Sequence, residues 1–175
     1  MPGVIAVPNL LSLARLPLAA VFLLVPDTAV RVAVIVAAGV SDYLDGWWAR
    51  TRGPRTRTGA VLDPVTDKAF IVTALVAFAV DGTITPLGLL VLLARDICVA
   101  VGLAVILLAR SGMRLEARYP GKVLTTIQFA AIVVLTLLPA VAVPVIVVAG
   151  VVSVWAIADY ATAGLDALRA PRRQG

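Results

Sequence analysis

Apolar residues fill long stretches of the chain, and the interruptions are clusters of charge, proline and glycine. Six apolar stretches run at roughly 8–25, 30–50, 60–80, 86–109, 122–139 and 143–166, each near the ~20 residues that an α-helix needs to cross a bilayer. Between them lie Pro26-Asp27, the stretch 51–58, Asp81-Gly82, the basic stretch 110–121 and a proline-bounded stretch at 139–144. These carry the breakers and charges of turns at a membrane surface. The pattern predicts an all-α integral membrane protein of six transmembrane helices. It forms a single membrane-embedded domain over 1–175, because little sequence remains for a separate soluble domain.

Composition strengthens this reading. Hydrophobic residues make up 61% of the chain, against roughly half in a soluble domain, and the mean hydropathy is +1.03. The net charge of +5 is a topology signal. Arg52, Arg55 and Arg57 lie between helices two and three, Arg110, Arg114, Arg118 and Lys122 between four and five, and Arg169, Arg172 and Arg173 in the tail. By helix parity these share one side, while the opposite loops carry only Arg31. The positive-inside rule then puts both termini and the basic loops in the cytoplasm, as in a bacterial-type plasma membrane. Charges spread along membrane-edge loops argue against a nucleic-acid partner. The chain enters its first apolar segment without the basic region and cleavage site of a signal peptide, so that helix is expected to be retained. Cys98 is the single cysteine, which excludes an internal disulfide and leaves it as a small packing residue. Histidine is absent, so carboxylates are the remaining candidates for proton acceptors.

One stretch demands a chemical explanation. Residues 42–67 read DYLDGWWARTRGPRTRTGAVLDPVTD and put four aspartates into an apolar chain. Aspartate is costly in lipid and four together repel, so shared divalent cations are the economical reading. On helix two, Asp42, Asp45 and Ala49 fall on one face, with Gly46 and Arg50 beside them; on helix three, Asp63 and Asp67 are one turn apart. The short basic connection brings the cytoplasmic ends of both helices together, and with them all four carboxylates. Oxygen ligands without His or Cys favour a hard cation, Mg²⁺ or Mn²⁺ and then Ca²⁺. Four carboxylates exceed what one Mg²⁺ takes from protein, so two cations fit better. A pair about 3.5–4 Å apart can stabilise the attacking and leaving oxygens of an in-line phosphoryl displacement. Gly46 and Ala49 leave room for a ligand against helix two, although small residues also suit helix packing. Arg50 has the planar fork that matches phosphate. Gly59 ends the loop before helix three and suits either role.

With these residues in place, the chain resembles the CDP-alcohol phosphotransferase family, whose signature is D-x2-D-G-x2-A-R-x8-G-x3-D-x3-D. Asp42, Asp45, Gly46, Ala49, Arg50, Gly59, Asp63 and Asp67 fill all eight fixed positions with every spacing intact. The resemblance implies transfer of a substituted phosphate from a CDP-linked donor, here expected to be CDP-diacylglycerol, to an alcohol with release of CMP. It further implies a homodimer and a two-metal site on the cytoplasmic side. Carried over by position, Asp42, Asp45 and Asp63 would be metal ligands. Asp67 would contact a metal and act as the general base on the acceptor hydroxyl. Gly46, Ala49, Arg50 and Gly59 would contact the cytidine and diphosphate. Asn9 and Arg15 resemble the segment before many members' first helix, where a polar residue can reach the nucleotide; an N-cap for Asn9 and a snorkelling or bundle-facing charge for Arg15 are the alternatives.

For the acceptor, Gly121-Lys122-Val123-Leu124-Thr125-Thr126-Ile127-Gln128 is similar to the G/S-K-x2-T-x2-Q stretch of phosphatidylglycerophosphate and cardiolipin synthases in the family. It implies a glycerol-based acceptor, glycerol-3-phosphate or phosphatidylglycerol, with Lys122 and the nearby Arg118 on its phosphate. Arg95-Asp96 is closer to the arginine-aspartate of cardiolipin synthases than to the arginine-glutamate of phosphatidylglycerophosphate synthases. Arg95 lies inside helix four, either paired with a partner on another helix or binding an acceptor anion. An inositol-phosphate acceptor is the alternative within the same chemistry. A cation transporter is the alternative from another class, since intramembrane aspartates often mark ion pathways, but these aspartates flank a loop and do not cross the bilayer midplane. Trp47, Trp48, Trp155 and Tyr160 read as interfacial anchors or packing residues.

Overall fold

A computed structural model describes residues 7–51, 57–108 and 119–169. Within these helices, the side chains of 7–9, 11, 45, 46, 48–51, 57–63, 103–108, 119–124, 160, 161 and 163–169 lie outside the description. The described chain is all-helical. Six α-helices run in order, α1 Val7–Leu24, α2 Thr28–Thr51, α3 Arg57–Val80, α4 Pro86–Leu108, α5 Tyr119–Leu137 and α6 Ala142–Arg169, with a short 3₁₀ turn Pro139–Val141 before α6.

Helix ends follow local chemistry. Pro26 cannot extend α1, and Asp27 starts α2 as an N-cap. Its side-chain Oδ1 accepts the Val30 amide at 2.9 Å and its carbonyl accepts the Arg31 amide at 3.0 Å. The cap explains why α2 begins at Thr28, two residues before the apolar pattern suggests. At the far end of α3, Gly82 adopts φ +76°, a conformation that costs other residues about 1 kcal/mol. The Ile84 amide then reaches back to the Phe78 carbonyl at 3.2 Å. Pro86 opens α4, where its missing N–H is harmless, while Pro17 and Pro64 lie inside α1 and α3. α3 begins at Arg57, so Gly59 stands in its first turn and does not end a loop. α5 begins at Tyr119, so Lys122 belongs to a helix and not to the connection.

The helices form two compact units, Met1–Thr85 with Ile132–Ala140, and Pro86–Ala131 with Val141–Gly175. In the first, α1 packs on α2 and α3. Ser12, Arg15, Ala19 and Phe22 make the buried stripe of α1, at the spacing of one helical face. Phe22 is fully buried and meets the Phe70 and Phe78 rings edge-on, with centroids 6.2 and 5.6 Å away. Ala38, Ala74 and Ala77 are buried in the same unit, and small side chains of this kind let helices approach closely. In the second unit, α4 packs on α6. Ala149, Ser153 and Ala156 are its small buried stripe, and a Cβ on Gly150 would come within 3.0 Å of Val91 Cγ1. Cys98 is exposed and packs into neither core, contrary to the packing role the sequence suggests.

Large apolar side chains also cover the outside. Leu24, Val36, Leu87, Val143, Val147, Val151 and Val154 are all more than half exposed. Among the described residues one segment, Pro139–Asp159, is long and apolar enough by itself to cross a bilayer, with 21 residues of mean hydropathy 2.6. At 1.5 Å per residue it spans about 31 Å, the thickness of a hydrocarbon core.

The first unit also contains an ion pair that the sequence pattern conceals. Arg31 is one turn inside α2, not in a loop, and is buried. Its Nη1 donates to Asp81 Oδ2 at 2.6 Å, its Nε to the Phe22 carbonyl at 3.2 Å, and its guanidinium lies 4.9 and 5.4 Å from the Phe22 and Phe78 ring centroids. Beside it is a cavity of about 380 Å³ lined by Thr28, Arg31, Asp81, Thr83, Thr136 and neighbouring apolar residues.

Candidate active site

The packing of α1, α2 and α3 brings two signature aspartates onto one arginine. Arg15 Nη2 donates to Asp42 Oδ1 at 3.0 Å, and Arg15 Nη1 donates to Asp67 Oδ1. Arg15 is 3% exposed in its side chain, whereas Asp42 and Asp67 are 66% and 41% exposed. The guanidinium therefore approaches from the bundle interior and the carboxylates open outward. Of the readings left open by the sequence, Arg15 is a bundle-facing charge.

The other signature positions are fixed here by helix register alone. α2 runs unbroken through Asp42, Asp45, Gly46, Ala49 and Arg50, so 42, 45 and 49 share a face. α3 carries Gly59, Asp63 and Asp67 at four-residue intervals, which puts them along one stripe. The side chains of Asp45, Arg50 and Asp63 lie outside the described residues, as do those of Asn9 on α1 and Lys122 on α5; Arg118 is wholly outside them. Among the described residues no trio of metal-ligating side chains forms, and Asp42 and Asp67 are the two carboxylates seen together. Their donor set fits a hard divalent cation: they are carboxylate oxygens on an exposed surface, and Arg15 engages one oxygen of each.

Arg95 occupies the second unit. Its Nη1 donates to its neighbour Asp96, at Oδ1 and 3.1 Å. Gln128 of α5 completes this group. Its buried amide donates to the Leu92 carbonyl at 2.6 Å and to Asp96 Oδ2 at 2.7 Å. Gln128 closes the K-x2-T-x2-Q stretch, so that motif contributes an α4–α5 clasp that spacing alone does not reveal. Gln128→Leu removes the donor to the buried Leu92 carbonyl and to a part-buried carboxylate oxygen, and is expected to cost about 1–3 kcal/mol. Thermal unfolding of the purified variant checks this, and a loss near zero would remove the clasp from the account.

A sequence profile described as CDP-alcohol phosphatidyltransferase matches residues 5–156, which include every position of the aspartate signature and the Arg95-Asp96 and Gln128 clasp. The chain belongs to the CDP-alcohol phosphatidyltransferase family. Within that family it is 38% identical over 126 residues to a Mycobacterium tuberculosis protein provisionally named a cardiolipin synthase, covering 70% of this chain and 60% of that one. It is 37% identical over 101 residues to the CDP-diacylglycerol–glycerol-3-phosphate 3-phosphatidyltransferase of Aquifex aeolicus, covering 55% of this chain and 57% of that protein. It is also 36% identical over 134 residues to a second M. tuberculosis protein provisionally named a phosphatidylglycerophosphate synthase, covering 71% and 62%. The chain thus spans about 60% of the length of these curated relatives.

Proposed function

We propose that this phosphatidyltransferase-family chain moves a phosphatidyl group from CDP-diacylglycerol to a hydroxyl of a glycerol-based acceptor. The observation that carries this reading is the eight-position signature, intact on two helices whose Asp42 and Asp67 meet at one buried arginine. The acceptor oxygen attacks the phosphatidyl phosphorus as the bond from that phosphorus to the CMP oxygen breaks. CMP leaves, and the hydroxyl proton passes to Asp67, the general base. Gly46, Ala49, Arg50 and Gly59 hold the cytidine and diphosphate, with Asn9 assigned to the same end of the donor. Two Mg²⁺ or Mn²⁺ ions held by Asp42, Asp45, Asp63 and Asp67 would neutralise the diphosphate and supply Lewis acidity.

Glycerol-3-phosphate and phosphatidylglycerol both bear a hydroxyl and a phosphate, and the relatives' names include synthases for each product class. Lys122, Arg118 and Arg95 are assigned to that phosphate. The reading includes six membrane-spanning helices, a site on the cytoplasmic side and a homodimer. The outward apolar side chains of α1, α2, α4 and α6 support the embedding, since such a surface suits lipid and not water.

The test is CMP release from purified protein in lipid, with CDP-diacylglycerol and Mg²⁺ or Mn²⁺, offering glycerol-3-phosphate, phosphatidylglycerol and inositol phosphate separately. Release that depends on a glycerol-based acceptor, with the matching lipid product, is expected. Folded, metal-bound protein that releases no CMP with any of them would overturn the reading.

A further inference from the structure

The family signature contains no residue of α1, yet the charged group that joins two of its aspartates, Asp42 and Asp67, comes from that helix. Arg15 sits in the buried stripe of α1 between Ser12 and Ala19. A buried arginine is costly unless its charge and its donors are matched. Here the match is Asp42, 27 residues away on α2, and Asp67, 52 residues away on α3. A guanidinium presents its donors in a rigid planar fork, so two N–H groups fix two acceptors at a set separation, which a flexible ammonium does not.

We propose that Arg15 is the positioning residue of the cation site: it holds Asp42 and Asp67 at a fixed separation from inside the bundle, taking Oδ1 of each and leaving the second oxygen for a cation. This rests on the two-metal reading above. Two observations argue that Arg15 stays in place during loading and is not an internal counter-ion that cations expel. Its side chain is 3% exposed and enclosed where α1 meets α2 and α3, whereas the carboxylates it touches are open on their other side. Each carboxylate also has acceptor sites for both an arginine and a metal. Hydrogen-bonded groups behind metal ligands typically contribute 10–100-fold to metal affinity. The two roles have opposite signs: a positioning residue tightens cation binding, and an expelled counter-ion weakens it.

The experiment compares wild type, Arg15→Gln and Arg15→Lys, each purified in lipid nanodiscs, by Mn²⁺ titration followed by electron paramagnetic resonance without donor or acceptor. Arg15→Gln is expected to weaken Mn²⁺ binding about 10–100-fold, with Arg15→Lys between it and wild type, because a point charge restores attraction but not the fork. In the transfer assay, the metal concentration for half-maximal rate is expected to rise by a similar factor, while saturating Mn²⁺ recovers most of kcat. Affinity unchanged in the folded variants, with only thermal stability lowered, would reduce Arg15 to a packing role and overturn the proposal. Tighter binding would overturn it in favour of the expelled counter-ion. Should Arg15→Gln fail to fold, Arg15→Lys carries the test, and wild-type affinity in that variant counts against the proposal. Wild-type protein that binds no Mn²⁺ would instead remove the metal reading itself, which separates the two failures.

Discussion

Asp67→Asn is expected to lower acceptor-dependent CMP release by roughly 10³-fold or more while the protein stays folded. Asparagine matches the shape of aspartate, and its amide oxygen can still accept a hydrogen bond from Arg15, so the α1–α3 contact survives in weakened form. The Asp67 side chain is 41% exposed, which screens its charge and limits the structural cost to about 1 kcal/mol. Chemistry loses much more. General-base catalysis contributes about 10²–10⁴-fold, and removal of an anionic cation ligand adds to that. Asp42→Asn is the informative companion, because it removes a proposed ligand but leaves the proposed base. High Mn²⁺ is expected to recover part of its rate and almost none of the Asp67→Asn rate. The assay is CMP release across a metal titration, with thermal unfolding to verify folding. If Asp67→Asn at saturating metal keeps more than a tenth of wild-type rate, the base lies elsewhere.

The helices were legible because hydrophobic runs, Pro26-Asp27 and Asp81-Gly82 act locally, within a turn or two of the residues that carry the signal. The shifted boundaries have local causes too, such as the Asp27 cap, which acts through a hydrogen bond rather than hydropathy. The aspartate signature was legible because its spacing already encodes helical faces. The pairing of Arg15 with Asp42 and Asp67 was not, since those partners are 27 and 52 residues away and nothing local distinguishes a snorkelling arginine from a buried one. Among the described residues Pro139–Asp159 is the segment long and apolar enough by itself to cross a bilayer, while α2 and α3 carry the aspartates and arginines of the signature region.

The same limit hid the Arg31–Asp81 pair, which generates the second large effect. Both residues look like turn charges in sequence; the fold buries one of them. Asp81→Ala leaves Arg31 with its Nε bond to the Phe22 carbonyl and the faces of Phe22 and Phe78, and its Nη2 already has no hydrogen-bond partner. Breaking one side of a buried pair typically costs about 3–5 kcal/mol. Asp81 is 24% exposed in its side chain and the adjoining cavity of about 380 Å³ can admit water to Arg31, which argues for the lower end. At roughly 2–4 °C per kcal/mol for a chain of this size, Tm is expected to fall by about 10 °C. Arg31→Leu with Asp81→Leu removes both charges together, and buried pairs replaced by apolar residues are often neutral or more stable, so the double variant is expected to regain most of the loss. Thermal unfolding in one detergent and lipid mixture compares the three proteins. An Asp81→Ala Tm within 2 °C of wild type would mean that water or the ring faces already balance the Arg31 charge, and that the pair contributes orientation rather than stability. Neither residue belongs to the proposed site: 11 residues of α2, about 16 Å of helix, separate Arg31 from Asp42. Metal affinity and kcat of the folded Asp81→Ala protein are therefore expected to match wild type, which distinguishes this end of the bundle from the Arg15 end, where stability and cation affinity change together.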